Sequence, residues 1–203
     1  MNVMETLNQK QVWNNIAEEW HEFKTEKKGK HILDFLKGKK GKILDLGSGS
    51  GRYLTKIPNG KMYLVDFSEK MINLAKSKAK REKIDAEFAV AEMTRLPFEN
   101  NFFDYAIASS SFHCIPKKDQ LKSAKELFRV LKPKAQAEIS VWNKQSKRFK
   151  NTSKEKLVGW RDKGKRYYYL FDVDEAHKLF EDVGFRIIKK EEPGIMICFV
   201  VEK

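Results

Sequence analysis

The chain has 203 residues, a length that fits one domain with a sizeable buried core. Its longest apolar run, residues 195–201, is too short to span a membrane, and residues 1–11 lack the apolar stretch of a signal peptide. Cys114 and Cys198 have neither Cys-x-x-Cys nor His-rich spacing. We therefore expect a cytosolic protein without a disulfide framework or an intrinsic metal site.

The positive charge is concentrated in one segment. The chain has 41 Lys and Arg against 28 Asp and Glu, a net charge of +13, and ten basic but only two acidic residues lie between positions 144 and 166. Such a run is either a solvated loop or, beside a substrate crevice, a surface that attracts phosphates. We favour a polyanionic substrate.

Apolar periodicity predicts the elements in chain order. Residues 11–23 carry an apolar stripe at helical spacing that either belongs to the core or forms a flap, and residues 52–57 begin a helix or a turn. Ser68 is a predicted N-cap, Pro133 stops a helix, and Gly184 ends another. The predicted helices cover 11–23, 31–36, 68–83, 118–131 and 174–183, and the predicted strands cover 42–46, 61–66, 86–91, 103–109, 137–142, 185–190 and 195–201.

These elements predict a single α/β domain over residues 1–203. Strands that alternate with helices give a mostly parallel, seven-stranded sheet with helices on both faces. The turn at 191–194 contains Pro-Gly, so the last two strands form a hairpin and the final strand is antiparallel. Residues 1–40 form N-terminal helices, and residues 143–170 form a basic insertion, predicted as a long loop or a helix.

A glycine-rich loop follows the first strand. Residues 43–51 read Ile-Leu-Asp-Leu-Gly-Ser-Gly-Ser-Gly, and Asp66 ends the second strand 21 residues after Asp45. Glycines let a ligand approach the backbone closely, and an acid at the next strand tip accepts from both ribose hydroxyls. The pattern differs from Gly-x-Gly-x-x-Gly, and no Gly-Lys-Ser/Thr follows. A nucleoside-binding crevice is favoured over a purely structural turn.

The loop resembles motif I of the class I S-adenosylmethionine-dependent methyltransferases, and residues 91–98, 101–107 and 126–133 extend this resemblance over roughly residues 12–203. The resemblance implies a Rossmann-like sheet of order 3-2-1-4-5-7-6 that binds S-adenosyl-L-methionine. The sequence departs from the family at two places: Lys134-Ala135 stands where Gly-Gly is customary, and Glu92 stands where an Asp usually contacts the adenine amine. The implied cofactor-binding residues are Asp45, Gly47, Ser48, Gly49, Asp66, Phe67, Glu92, Met93 and Ser109.

The expected roles of these residues are as follows, and some have a purely structural alternative. Asp45 is expected to orient the loop and the ligand amine, and Asp66 to hold the ribose unless it is merely an N-cap or surface acid. Phe67 and Met93 either sandwich the adenine or belong to the core. Ser109 ends the fourth strand, near the expected position of the reactive methyl group.

Two further segments resemble the tRNA wobble-uridine carboxymethyl methyltransferases. His113 follows the fourth strand and either positions substrate or is a structural hydrogen-bonding group; Cys114 stands where that family has a second histidine. Residues 166–171 read Arg-Tyr-Tyr-Tyr-Leu-Phe, which suits an unstacked base and its phosphates, or a strand that packs tyrosines on the core. The predicted substrate-binding residues are Arg52, Lys165, Arg166, Tyr167, Tyr168 and Tyr169.

Missing motifs narrow the reaction. The Asn/Asp-Pro-Pro-aromatic loop of amino-methylating enzymes is absent after the fourth strand, and Cys114 does not follow a proline as a cytosine-attacking cysteine usually does. A carboxylate acceptor needs no general base, since it is ionised near pH 7. The first hypothesis is therefore a tRNA carboxyl methyltransferase, paired in the resembling family with a small zinc-binding activator that the third-strand edge would accept. The alternatives are a small-molecule methyltransferase with the basic loop as a lid, and a cofactor-binding module without catalysis.

Overall fold

The computed structural model describes residues 8–24 and 29–203. The helices are α1 (Gln9–Lys24), α2 (Lys30–Leu36), α3 (Glu69–Glu82), α4 (Lys117–Val130) and α5 (Val173–Glu181), with a short 3₁₀ turn at Phe112–Cys114. The strands are β1 (Gly41–Leu46), β2 (Gly60–Asp66), β3 (Ala86–Val90), β4 (Phe103–Ser109), β5 (Leu131–Trp142), β6 (Glu155–Gly159), β7 (Lys165–Tyr169), β8 (Arg186–Lys190) and β9 (Met196–Glu202).

Seven of the strands form one sheet in the order β3-β2-β1-β4-β5-β9-β8. The first five are parallel, and β9 runs antiparallel to both β5 and β8. The predicted fold class and strand order are confirmed. Ile43, Leu44 and Leu46 of β1 are fully buried, because helices cover both faces of a central strand.

The core has two halves, one on each face of the sheet. One half includes Leu127 of α4 and Phe180 of α5, and the other includes Ile32 of α2 and Ala75 of α3. This three-layer arrangement leaves the carboxyl ends of the parallel strands open at one rim.

The helix that follows β2 begins at the predicted cap. The Ser68 hydroxyl accepts a hydrogen bond from the Met71 backbone N–H at 3.2 Å, which satisfies one of the free donors of the first turn of α3. The helix ends at Lys83, whose φ of 52° is left-handed, and the Lys83 N–H bonds to the Ala79 and Lys80 carbonyls. The cap fixes the chain direction immediately after Asp66.

Only the first part of the basic insertion, residues 144–154, is a loop as predicted; the rest is a β-hairpin, which neither a long loop nor a helix described, although a strand packing its tyrosines on the core was one alternative for residues 166–171. Strands β6 and β7 form a separate antiparallel hairpin, with Leu157 opposite Tyr167 and Lys156 opposite Tyr168. The tyrosines of β7 are buried, and aromatic residues such as these are enriched in half-buried strands. The segment after the glycine loop, residues 52–57, is a turn without a helix.

Helix α1 joins the hairpin to the main body. The Asn14 carboxamide oxygen accepts from the Ser68 hydroxyl at 2.7 Å, and the Gln9 carboxamide oxygen accepts from the Tyr167 N–H at 2.8 Å. Its apolar stripe is buried, with Ile16 and Ala17 at 0% exposure. Across residues 8–24 and 29–203, no helix combines the length and the apolar character needed to cross a bilayer.

Arg129 of α4 fixes the loop between β3 and β4. Its guanidinium donates to the carbonyls of Phe98 and Leu96 and to the Glu126 carboxylate at 2.7–3.1 Å. The Glu126 carboxylate in turn accepts from the Leu96 N–H at 2.7 Å. Since this loop begins with Glu92 and Met93, the network sets where those residues lie.

We predict that Arg129→Lys lowers the free energy of unfolding by about 1.5–3 kcal/mol, because lysine keeps the charge but loses the forked contacts. Urea denaturation measures the change. The matched control Lys125→Gln, at an exposed position of the same helix, should stay within about 0.5 kcal/mol of the parent. Equal stability of the Arg129→Lys variant and the parent would contradict the role of the network.

Candidate functional site

A cleft of about 930 Å³ opens at the carboxyl ends of β1, β2 and β4. This is the rim where strand order reverses between β1 and β4, the usual ligand site of open α/β sheets. The other walls come from the start of α1, the end of β5 and strand β7. Their lining residues include Gln9, Trp13, Trp20, Trp142, Tyr167 and Tyr168.

The glycine loop presents its backbone to the cleft. The N–H groups of Gly47 and Ser48 donate to the Val65 carbonyl at 2.8 and 2.9 Å, which ties the loop to β2. Gly47 and Gly49 have φ values of 73° and 54°, in the left-handed region that favours glycine. A Cβ on Gly47 would collide with Ser111, whereas a Cβ on Gly49 would enter open space. The loop therefore leaves room for a ligand at Gly49.

Asp66 holds the loop and the following helix together. One carboxylate oxygen accepts from the Gly49 N–H and the other from the Ser68 N–H, both at 2.9 Å. Burial raises the pKa of Asp66 to about 6, although these backbone donors favour the charged form and lower it. Each oxygen keeps a lone pair for ligand hydroxyl groups.

Asp45 lies at the tip of β1, 2% exposed. Burial, followed by the charge of Asp66, raises its pKa to about 7. Its Oδ2 atom is buried without a hydrogen-bond partner among the described residues. A cationic donor, such as an amino group, would relieve both the repulsion and the missing bond.

Three more polar atoms in the cleft lining are buried without hydrogen-bond partners among residues 8–24 and 29–203. They are Nε of Arg52 and the hydroxyl oxygens of Ser111 and Tyr167. Native structures leave few such atoms. Together with the Asp45 carboxylate, which fits the amino group of an S-adenosyl-L-methionine molecule, they give the cleft donors and acceptors for bound ligands.

The predicted adenine residues lie together at the β2 and β3 ends. Phe67, Glu92 and Met93 all line the cleft. Met93 also packs against the core, so its two predicted roles are compatible. Partial burial raises the pKa of Glu92, while Lys10 on α1 lowers it.

The end of β4 is polar and irregular. The Ser109 hydroxyl donates to the Tyr53 hydroxyl at 3.3 Å and accepts from the Ser140 hydroxyl at 3.2 Å. Ser110 has a φ of 60°, an uncommon conformation for a residue with a side chain. All three serines of this strand end line the cleft.

His113 is 2% exposed and part of an aromatic stack. Its Nδ1 atom accepts from the Trp142 backbone N–H at 3.1 Å, and its ring stacks on the Trp142 ring at 4.8 Å. The bond to Nδ1 assigns the proton of the neutral ring to Nε2. The Tyr168 ring also stacks with the Trp142 ring, with 4.2 Å between the ring centroids.

Three of the predicted substrate-binding residues do not line the cleft. Arg166 is 5% exposed and donates to the Tyr168 hydroxyl at 2.7 Å, within a cage of the Trp13, Trp20 and Trp160 rings. Lys165 is exposed on the hairpin, and Tyr169 bonds to Glu175 of α5. Among the predicted substrate residues, Arg52, Tyr167 and Tyr168 do line the cleft.

Sequence reasoning missed several lining residues. Trp142 ends a strand beside the switch point, and Trp13 and Trp20 lie two helical turns apart, so both signals were present in the sequence. Tyr53 carried no signal, because its position depends on the turn after the glycine loop. Cys114 lines the cleft, but burial raises the pKa of its thiol to about 12, which disfavours a nucleophilic thiolate.

Comparison with known proteins supports the same assignment. A family model described as a methyltransferase domain matches residues 43–134. Demethylmenaquinone methyltransferase from Lactococcus lactis is 40% identical over 97 residues, which cover 45% of this chain and 38% of that protein. The tRNA (carboxymethyluridine(34)-5-O)-methyltransferase of Arabidopsis thaliana is 34% identical over 101 residues, which cover 49% of this chain and 24% of that protein. The chain therefore spans less than half the length of either relative.

Solved structures share the fold. A methyltransferase of Methanosarcina mazei superposes with a TM-score of 0.69 at 22% identity, covering 85% of this chain and 96% of that one. The methyltransferase in a complex with the Trm112 activator of Haloferax volcanii superposes with a TM-score of 0.71 at 17% identity, covering 96% of each chain. The chain thus has the class I methyltransferase fold, and its residues 43–134 match a methyltransferase domain; the Methanosarcina mazei structure and one from Aquifex aeolicus are described as SAM-dependent methyltransferases, which implies S-adenosyl-L-methionine as the cofactor.

Proposed function

We propose that this protein transfers a methyl group from S-adenosyl-L-methionine to a carboxymethyl group on a wobble uridine of tRNA, forming a methyl ester. The observation that carries the transferase assignment is the pair of buried carboxylates, Asp45 and Asp66, beside a glycine loop that leaves Gly49 open. The tRNA substrate is supported by the aromatic and basic surface beside the cleft and by the Arabidopsis relative.

In this proposal the cofactor lies along the ends of β1 and β2. Asp45 binds the amino group, Asp66 the ribose hydroxyls, and Phe67 and Met93 flank the adenine, whose amine donates to Glu92. Gly47, Ser48 and Gly49 allow the close approach, and Ser109 lies near the reactive carbon. When bound, the cofactor supplies an electrophilic methyl group on a positively charged sulfur.

The chain's own residues then position the acceptor. Arg52 carries a guanidinium nitrogen without a partner among the described residues, a donor suited to a carboxylate. His113, whose ring is held by the Trp142 N–H, is the second residue proposed to position the substrate. The acceptor carboxylate is already ionised near pH 7, so alignment and water exclusion are sufficient, and positioning can supply roughly 7–11 kcal/mol.

The substrate wall suits an unstacked base. Trp142, stacked with His113 and Tyr168, lines the cleft and leads to Phe149, whose ring centroid is 4.9 Å from that of Trp142. Bases bind such rings when they leave the stack of an RNA loop. The Arg148 guanidinium lies 5.9 Å from the centre of the Trp142 ring, so a cation flanks this platform.

Part of the basic segment is occupied by internal contacts. Lys154 pairs with Asp172 and Glu175 at 2.7–2.8 Å, while Arg161 and Lys163 pair with Glu19 at 2.6–3.1 Å. The exposed cations Lys147, Arg148 and Lys150 are better placed to meet phosphates. They, rather than the whole segment, are the proposed RNA contact, and Lys165 extends it on the hairpin.

A small-molecule substrate is the second candidate, with the hairpin as a lid. It is supported by the Lactococcus relative, named for a quinone precursor, and by the apolar Trp13 and Trp20 rings in the cleft wall. A flat aromatic acceptor would pack against such rings.

A small activator protein is a proposed partner. Strand β3 forms one edge of the sheet, and Val90 at its end is 45% exposed. An added strand would cover this edge. The Haloferax structure, in which a methyltransferase is bound to the Trm112 activator, supports the idea.

The test is transfer of a labelled methyl group to bulk tRNA and to a panel of quinone precursors, with and without a small zinc-binding activator. The proposal predicts label in tRNA that mild alkali releases as methanol, because methyl esters hydrolyse while C-methyl and N-methyl groups do not. Stable label in a quinone precursor would favour the second candidate. Cofactor binding without transfer to any acceptor would indicate a module without catalysis.

A second prediction concerns pH. A bound amino group stabilises ionised Asp45, whose pKa without ligand is about 7, so affinity should be greatest above pH 7. Below pH 7 it should fall by up to about tenfold per pH unit, and more steeply once Asp66 also titrates near pH 6. Titration calorimetry with S-adenosylhomocysteine at pH 5.5, 6.5, 7.5 and 8.5 measures this.

The Asp45→Asn variant should bind weakly and lose the pH 7 step. The matched control Asp85→Asn, at an exposed acid paired with Lys61, should keep the parent profile. A pH-independent affinity in the parent would show that Asp45 does not pair with the amino group.

A third prediction concerns the exposed cations. Replacing Lys147, Arg148 and Lys150 with alanine should weaken tRNA binding and reduce the slope of log affinity against log salt by about two to three, roughly one for each lost phosphate contact. Filter binding across a salt series measures the slope. The control variant replaces three exposed lysines on α3 and α4, Lys76, Lys122 and Lys125, and should keep the slope. Equal slopes in both variants would reject this surface as the RNA contact.

A further inference from the structure

His31, Glu138 and Cys198 converge on the side of the sheet that α2 covers. One nitrogen, one carboxylate oxygen and one sulfur from these residues lie within 4.8 Å of one another. Glu138 is on β5 and Cys198 on the neighbouring β9, and Cys198 pairs with Ser140, two residues beyond Glu138. Since alternate residues of a strand share a face, both side chains point toward α2, where His31 lies.

The Glu138 carboxylate lacks a hydrogen-bonding environment. Its side chain is 3% exposed, and neither oxygen has a hydrogen-bond partner among the described residues. The Nε2 atom of His31 lies 3.4 Å from Oε1 of Glu138, and it too has no hydrogen-bond partner among residues 8–24 and 29–203. A buried carboxylate in this state is costly unless it keeps a proton or binds a cation.

We propose that His31, Glu138 and Cys198 form a binding site for a zinc ion. An imidazole nitrogen, a carboxylate oxygen and a thiolate sulfur are all ligands that Zn²⁺ accepts, and the two anionic ligands neutralise its charge. Ligand atoms of tetrahedral Zn²⁺ lie about 3.3–3.8 Å apart, so closure needs side-chain movements of about 1 Å.

Two of the three proposed ligands border a cavity. His31 and Glu138, but not Cys198, line a space of about 120 Å³ together with Asp34, Lys189 and Glu191, enough for ordered water or a fourth ligand beside the ion. Glu191, partly exposed and paired with Lys189 at 3.3 Å, can replace a water as the fourth ligand. None of the three proposed ligands lines the methyltransferase cleft, so the site is separate from the proposed reaction.

Such a site would tie α2 to β5 and β9. The expected effect is structural, because a metal that binds only the folded chain stabilises it. Sequence spacing gave no indication of the site, since 107 residues separate His31 from Glu138 and 60 separate Glu138 from Cys198, so that the three meet only in the folded sheet.

The experiment uses the untagged full chain, treated with a chelator and titrated with Zn²⁺ alone in competition with a chromogenic chelator, without any activator protein. A single Zn²⁺ per chain and a raised melting temperature are expected. Cys198→Ser should weaken binding by more than the roughly 10–100-fold that loss of an outer-shell partner costs, and Glu138→Gln should do the same. The matched control Cys114→Ser should bind as the parent does.

Cobalt gives a readout that does not depend on a variant folding. The parent chain with Co²⁺ should show the intense visible bands of a tetrahedral site and a sulfur-to-metal charge-transfer band, which Cys198→Ser removes and Cys114→Ser retains. No binding above background, binding unchanged in Cys198→Ser, or a Co²⁺ spectrum without the sulfur band would overturn the proposal and leave a protonated Glu138 as the explanation.

Discussion

Two carboxylates buried side by side, at the ends of adjacent parallel strands, determine what the cleft can bind. Asp45 and Asp66 each have a raised pKa because burial penalises their charge, and the charge of Asp66 raises the pKa of Asp45 further. At these two groups the folded chain therefore binds more protons than the unfolded chain between about pH 4 and pH 7. The stability that Asp45 contributes is present at low pH and is lost as pH rises through 7. A cationic ligand restores that loss, so the fold is arranged to favour one.

The same rim is enclosed by segments distant in the sequence. Helix α1 bonds to the start of α3 through Asn14 and to β7 through Gln9, and Arg166 is enclosed by tryptophans from both α1 and the hairpin. These contacts join helix α1, the β6–β7 hairpin and the start of α3 into one wall. Arg166, which the sequence predicted as a substrate contact, is thus a structural link, and the rings and exposed cations nearby are the proposed substrate contacts.

Much of the fold was predictable because its determinants are local. The Ser68 cap, the Gly184 helix end and the alternation of strands and helices depend on short stretches of chain, and the strand order followed from the family resemblance. A strand that packs its tyrosines on the core was one of two alternatives for residues 166–171, but its pairing with residues 155–159 was missed, because the first strand of the hairpin lies in a highly charged stretch. The cofactor side of the site follows from the rule that strand ends meet at one rim. The position of Arg166, the Trp142 stack and the His31 cluster depend on contacts between distant residues, which no local pattern encodes.

Lys134 shows how a departure from the family pattern is accommodated. It has a φ of 65°, where the resembling family usually has glycine, and its N–H donates to the Lys203 carbonyl at 2.9 Å. The left-handed conformation is retained at some cost in strain, in the irregular first part of β5, where the pairing with β4 passes from Leu131 to Gln136. The departure therefore affects the start of β5 and leaves the cleft intact.

A crystal structure with S-adenosylhomocysteine tests the central claim most directly. The account predicts the amino group within hydrogen-bonding distance of Asp45, the ribose hydroxyls on Asp66, and the adenine between Phe67 and Met93. Ligand bound elsewhere on the chain, or its amino group away from both carboxylates, would contradict it.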